Sequence, residues 1–455
     1  MTDSEHRITA LPSGVRVVTE RIPGVRSVAL GFWIATGSVL EREDQAGISH
    51  LLEHMLFRGS ERYGSQEIDE IFDAMGAECN AGTDKESTSL YSRVLDRHGE
   101  RAFDVMSDMV WRPRMAELAA EREVVLEEIA MYEDDPQDRV FDVLGEAVFG
   151  AHPLGRAVIG RAEVIGAVSE EQLRAFHAER YTPASIVIAA AGSVDHDALV
   201  QMARAAESAP AGEGVSGGRA AAGADADGAD AHGDAPASAS GPGGSPLAAI
   251  APPQFEPRVR FMAKDTEQYH LCLGGPGIAR HDERRYALRV LDGVLGGTSS
   301  SRLFQEVRER RGLAYSVFSF SNMYSDTGEI GLYVGTRPEN LAQAVATIAE
   351  ELQRFAAEPA SAAELTRSRE NVKGRVVLSL ESTSARMNRL GASVLAGLPI
   401  LSVDEVIDRI DAVEIEDVKE LAAQLFAPER LSVACVGAEE DVFREACRPL
   451  QGVAA

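Results

Sequence analysis

No stretch of this 455-residue chain reaches the roughly 18 consecutive apolar residues of a membrane-spanning helix. Its opening, Met1-Thr2-Asp3-Ser4-Glu5-His6-Arg7, lacks the apolar core of a secretion signal, so the cytoplasm is the expected compartment. Cysteine is scarce. Cys79, Cys272, Cys435 and Cys447 are scattered and form no CxxC pair, which reads as reduced thiols rather than disulfides or a metal cluster. Positive charge is also short: 45 Lys and Arg stand against 72 Asp and Glu, a net of −27. That balance argues against nucleic acid or an anionic membrane as partner and suits a cationic substrate. No GxSxG elbow suggests a serine nucleophile. Hydrophobic content of 45% is ordinary for a globular protein, and the length allows roughly two to four domains.

What the chain does have is His50-Leu51-Leu52-Glu53-His54. Two histidines four apart lie on one face of a helix, a turn from each other. Glu53, three residues after His50, shares that face. Imidazole nitrogens suit zinc, and a neighbouring carboxylate can take a proton from water. The order HxxEH inverts the commoner HExxH peptidase pattern and is itself a catalytic arrangement. Such short patterns also arise by chance, so the context matters. Residues 47–59 read as a short amphipathic helix, with Asp44 as its start, Gly59 as its stop, and Leu51, Leu52, Met55 and Leu56 toward a core. The leading expectation is a zinc-dependent peptidase.

From 207 to 253 the sequence turns to Ala, Gly, Asp, Ser and Pro, with hardly a large apolar side chain. Such a segment cannot offset its ordering entropy by burial, and it reads as a flexible linker between halves at 1–206 and 254–455. The halves resemble each other. Tyr181-Thr182-Pro183 through Gly192 and Phe426-Ala427-Pro428 through Gly437 each place a proline nine residues before a glycine, with an apolar run between. A helical stretch precedes each, at 169–180 and 414–425. Strand-like segments open both halves, at 28–33 and 270–273. Duplication of one α+β unit is expected. The second half has no HxxEH, so only the first would carry a metal.

A catalytic zinc site wants three protein ligands and one open position. Glu121 and Glu128 lie two turns apart on one face of an acidic helix, while Glu127 points elsewhere. One of the pair suits the metal and the other a supporting place behind a histidine or the water. Periodicity alone does not choose between them, and acidic helices are usually solvated faces.

The segment around His50, the Glu121–Glu128 helix and the segment from Ser301 through Tyr315 together resemble the pitrilysin-type metallopeptidases. That family includes insulin-degrading enzyme and the mitochondrial processing peptidase. The similarity spans nearly all of the chain outside the linker and is nearest the processing peptidase beta subunit and its bacterial relatives. It implies an α+β fold of two homologous sandwich-like halves, each an antiparallel-rich sheet with helices packed on it. It implies that His50, His54 and Glu128 bind zinc, with Glu53 as general base and Glu121 in support. Asn80 and Ala81 match a strand edge that pairs with substrate backbone, and Phe57 falls where the family lines the pocket just after the cut. Arg308 and Tyr315 match a pair that the C-terminal half offers to the substrate carbonyl.

Asp138 and Asp142, four apart on a helix, could receive an arginine fork. They fall where the processing peptidase binds the arginine upstream of its cut; local pairing with Arg139 is the alternative. The short Gly296-Gly297-Thr298 does not reproduce the glycine-rich loop of that enzyme's partner subunit. By the same resemblance the chain should pair with itself or a related subunit around peptide or unfolded protein. A non-catalytic, substrate-holding subunit of the same family is the competing expectation.

Overall fold

The computed structural model describes residues 6–208, 250–358 and 360–450. Most of the expected linker at 207–253 lies outside the described residues.

The strands form two mixed sheets. In the first, β1 (His6–Ala10), β2 (Arg16–Arg21), β3 (Ser27–Ile34), β4 (Cys79–Thr83), β5 (Thr88–Leu95) and β6 (Ile186–Gly192) take the order β1-β2-β6-β3-β5-β4. In the second, β7 (Val259–Ala263), β8 (Tyr269–Pro276), β9 (Ser316–Met323), β10 (Gly328–Thr336) and β11 (Ser432–Gly437) run β7-β11-β8-β10-β9. Setting β1 aside, the two orders are the same. One pair in each sheet is parallel, β2 with β6 and β7 with β11, and the rest are antiparallel. The paired proline-to-glycine segments fall where duplication requires. Pro183 and Pro428 each open a short 3-10 turn that leads into β6 or β11.

β6 and β11 are apolar on both faces, and both faces of such a strand need cover. In β6, Ile186, Ile188 and Ala190 point into the first half's own core. Val187, Ala189 and Ala191 point the other way, against Met387, Leu390 and Val394. Those three belong to the helix Thr383–Leu395 of the second half. The exchange is reciprocal. Val433 and Cys435 of β11 join the second half's core, while Ala434 and Val436 meet Val140, Val143, Leu144 and Val148. These lie on the first-half helix Pro136–Phe149. Each half therefore lends a helix to the other's sheet.

Small residues permit the approach: a Cβ on Gly391 would lie 2.1 Å from the Trp33 indole nitrogen. Buried Glu20 of β2 is ion-paired with Arg386 and lies 3.7 Å from Arg389, both on the lent helix. Among the described residues, no helix is long and apolar enough to cross a membrane.

Candidate metal centre

The motif lies on the helix Ile48–Leu56 between β3 and β4. Leu51, Leu52, Met55 and Leu56 are fully buried in the first half's core, as the sequence predicts. Its start differs from the expectation. Asp44 sits in a separate 3-10 turn, Glu43–Gln45, and the helix is capped from further upstream. The Glu41 carboxylate accepts the backbone N–H groups of Gly47 (2.9 Å) and Ser49 (2.8 Å). Burial raises the Glu41 pKa, and these two N–H donors oppose the rise. Gly47 itself has φ 98° and abuts Gly160, so a side chain there would be both strained and crowded.

The acidic helix runs Leu118–Asp134 and packs beside the motif helix. It buries Glu121 and leaves Glu128 half-exposed at the histidines. Nε2 of His50 and Nε2 of His54 lie 3.2 Å apart. Glu128 Oε2 is 3.3 Å from the His54 nitrogen, and Oε1 is 3.7 Å from the His50 nitrogen. Donors around a tetrahedral ion with bonds of 2.0–2.1 Å stand about 3.3 Å apart. The three groups thus already hold the spacing of a zinc site, and two imidazoles with one carboxylate are a borderline-soft donor set that zinc accepts. The fourth tetrahedral position belongs to none of them.

Glu121 stands behind this trio. Its Oε1 accepts the His54 Nδ1–H at 2.7 Å, and its Oε2 accepts Arg58 Nε–H. Donation from Nδ1 leaves the Nε2 lone pair aimed at the other donors, so Glu121 holds the His54 ring from behind and stands outside the trio. Burial, with His54 alongside, lowers His50 to about 4, keeping it neutral and ready to coordinate. Burial raises Glu53; the Thr83 hydroxyl and His54 oppose that rise, and Glu128 adds to it. The Thr83 hydroxyl donates to Glu53 Oε2 at 2.6 Å.

The remaining predicted residues fall into three places. Asn80 and Ala81 sit on β4, which closes one edge of the first sheet and pairs only with β5 among the described strands. Phe57 caps the motif helix and is half-buried against the core. Asp138 is exposed, whereas Asp142 is largely buried and accepts Arg139 Nη1 at 3.1 Å. An arginine arriving from substrate would compete with Arg139 for it.

Arg308 and Tyr315 lie together in the second half. Arg308, in the π-helical turn Phe304–Arg310, stacks over the Tyr315 ring at 4.3 Å and donates to the Tyr315 carbonyl at 3.0 Å. Tyr315 as a residue is 79% exposed. Among the described residues, no hydrogen bond, ion pair or ring contact joins either residue to His50, Glu53, His54 or Glu128.

Thr83, Glu41 and Arg58 join the site without being among the predicted residues. Only Thr83 carried a signal: two residues beyond Ala81, it shares that residue's side of the strand.

Both halves match family models. Residues 16–162 match Insulinase (Peptidase family M16), and residues 167–372 match Peptidase M16 inactive domain. A Streptomyces coelicolor protein named an uncharacterized zinc protease is 39% identical over 96% of this chain and 90% of its own length. A Bacillus subtilis protein with the same description is 40% identical over 91% of this chain and 94% of its own. A structure of the peptidase M16 inactive domain from Pseudomonas fluorescens aligns with a TM-score of 0.81 at 21% identity, covering 95% of this chain and 98% of that one. A Helicobacter pylori protease aligns equally well at 19% identity, over 96% and 100%. Those two likenesses establish the fold. With family matches to both halves and relatives near 40% identity along almost its whole length, the chain belongs to peptidase family M16, the insulinase family.

Proposed function

We propose that this chain is a zinc-dependent endopeptidase acting on peptides or on unfolded, extended protein segments. The observation that carries the reading is the convergence of His50, His54 and Glu128 at ligand spacing, with Glu53 on the same helix and an open strand edge beside it. The names of the relatives support zinc and proteolysis.

Zinc held by these three residues would make a bound water acidic near neutral pH and polarise a carbonyl. The chain's own residues do the rest. β4 takes an extended substrate as an added strand, reading backbone rather than sequence, with Asn80 and Ala81 at the point of contact and Phe57 lining the pocket after the cut. Glu53 accepts the proton of the attacking water and passes it to the departing amine, so no covalent intermediate is required. Glu121 holds His54 in one tautomer throughout. Arg308 and Tyr315 supply donors to the substrate carbonyl as its negative charge grows.

The exposure of Tyr315, and the lack, among the described residues, of any hydrogen bond, ion pair or ring contact from this pair to the metal residues within one chain, support its delivery to the site of a second copy. Sedimentation should then give twice 48.7 kDa; a single-chain mass would contradict the pairing. The peptidase reading is tested with a quenched peptide pool. Hydrolysis should stop with a chelator. Glu53→Gln should keep its zinc and lose about 10²–10⁴-fold in turnover. A Glu53→Gln variant that cleaves normally would remove Glu53 as base, and hydrolysis indifferent to chelator would remove the metal mechanism.

A further inference from the structure

Thr83 ends the edge strand β4, and its backbone pairs with Thr88 across the hairpin. Its hydroxyl donates to Glu53 Oε2 at 2.6 Å, engaging one oxygen of that carboxylate. Threonine is β-branched and stiff at χ1, so the hydroxyl direction follows the strand. The position of Glu53 is therefore tied to the position of the hairpin tip.

That tip is held by the other half of the molecule. Three residues beyond Thr83, the buried Glu86 carboxylate reaches the turn between β9 and β10. It accepts the Ser325 N–H at 2.9 and 3.1 Å and the Ser325 hydroxyl at 2.6 Å. Arg280 Nη2 lies 2.9 Å from the same carboxylate. The β9–β10 turn closes on itself through the Tyr324 N–H, which donates to the Thr327 carbonyl at 2.8 Å. Two equivalent hairpin tips, one from each half, are clasped by one buried charge.

We propose that Thr83 is a positioning residue for Glu53, and that the second half sets this position through the Glu86–Ser325–Arg280 clasp. The inference deepens the peptidase reading and rests on it. The base must meet the attacking water within a narrow geometry, and an ångström of misplacement can cost on the order of a hundred-fold. A hydroxyl on one carboxylate oxygen fixes the side chain and leaves the other oxygen for the proton. The second half then has a part in catalysis inside its own chain, separate from Arg308 and Tyr315.

The test uses the full chain with zinc. Thr83→Val keeps the strand-forming shape and deletes the hydroxyl. Its zinc content and melting temperature should match wild type, its KM should hold within about threefold, and its kcat should fall roughly 10- to 100-fold. Thr83→Ser restores a donor and should recover most of that loss. Ser325→Ala, which loosens the clasp, should lower kcat by roughly two- to ten-fold with zinc retained. Should the valine variant fail to fold, serine against alanine at position 83 carries the same contrast. A Thr83→Val enzyme with wild-type kcat would overturn the proposal, as would a loss explained wholly by missing zinc or by a serine variant as poor as valine. An inactive wild type would instead sink the peptidase reading and this inference with it. An active wild type beside a fully active valine variant sinks this inference alone.

Discussion

The two halves lay down the same scaffold and fill its central helix pair differently. In the first, the helix Ile48–Leu56 meets the acidic helix Leu118–Asp134, and two imidazoles with two carboxylates stand between them. In the second, the helix Arg285–Leu295 takes the corresponding place after β8, and Ala362–Ser379 packs on it. There the contact is made by small groups: a Cβ on Gly293 would lie 2.3 Å from Ser368 Oγ, and that hydroxyl donates to the Val290 carbonyl. No histidine occurs on either second-half helix. The sheet-and-helix frame brings two helix faces together in both halves. The side chains on those faces gather three groups that could hold a metal in one half and make a packed seam in the other, which is why fold alone would not assign the activity.

The largest effect should come from making the first half resemble the second at a single ligand. His54→Ala leaves two donors and strips buried Glu121 of one of its two partners, Arg58 remaining. Bound zinc should fall to background and hydrolysis with it, measured by metal analysis and a quenched peptide. A variant that keeps stoichiometric zinc would show that the centre lies elsewhere.

Removing the support behind the ligand should cost less. Glu121→Gln keeps an acceptor for His54 but discards the charge shared with Arg58. Zinc affinity should weaken roughly 10- to 100-fold in competition with a chromophoric chelator. Unchanged affinity would mean that His54 does not depend on Glu121 for its orientation.

Metal binding and turnover should be touched least by a change at the surface where the halves meet, which is read in stability instead. Glu329 on β10 is buried, and burial holds its carboxyl up at about 7, against the Asn322 amide and nearby Lys85. An unfolded glutamate titrates near 4.3. Between those values the folded chain holds a proton that the unfolded chain has lost. Stability from this group is therefore full below about pH 4.3, declines as pH rises towards 7, and is flat beyond. Glu329→Gln should abolish that slope, a gain of roughly 4 kcal/mol above pH 7 relative to wild type. Urea midpoints at about pH 5 and pH 8 would read it; a variant with the wild-type slope would assign the slope to other groups.

Much of this was legible beforehand because local periodicity and donor type are sequence properties. The spacing of His50, Glu53 and His54 fixed their common face, and Leu51, Leu52, Met55 and Leu56 fixed the buried one. The matching segments ending at Gly192 and Gly437 anticipated two like halves. Pairings between distant segments were not legible. Nothing near Glu41 marks it as the cap of a helix that begins seven residues later. Pro136–Phe149 and Thr383–Leu395 read as ordinary amphipathic helices, and no local signal says that each covers the other half's sheet. The choice of Glu128 over Glu121 needed either resemblance or coordinates, since both occupy one helical stripe. Asp138 and Asp142 share a helix face as their spacing requires, yet the Arg139 pairing is a matter of rotamer and burial that spacing does not encode.

The central claim is that His50, His54 and Glu128 converge on one zinc ion. Anomalous diffraction from crystals of the purified protein, recorded on both sides of the zinc edge, tests it most directly. The account predicts one peak per chain, within bonding distance of both histidine Nε2 atoms and a Glu128 oxygen. Zinc-replete crystals with no peak there, or with the peak on other side chains, would contradict it.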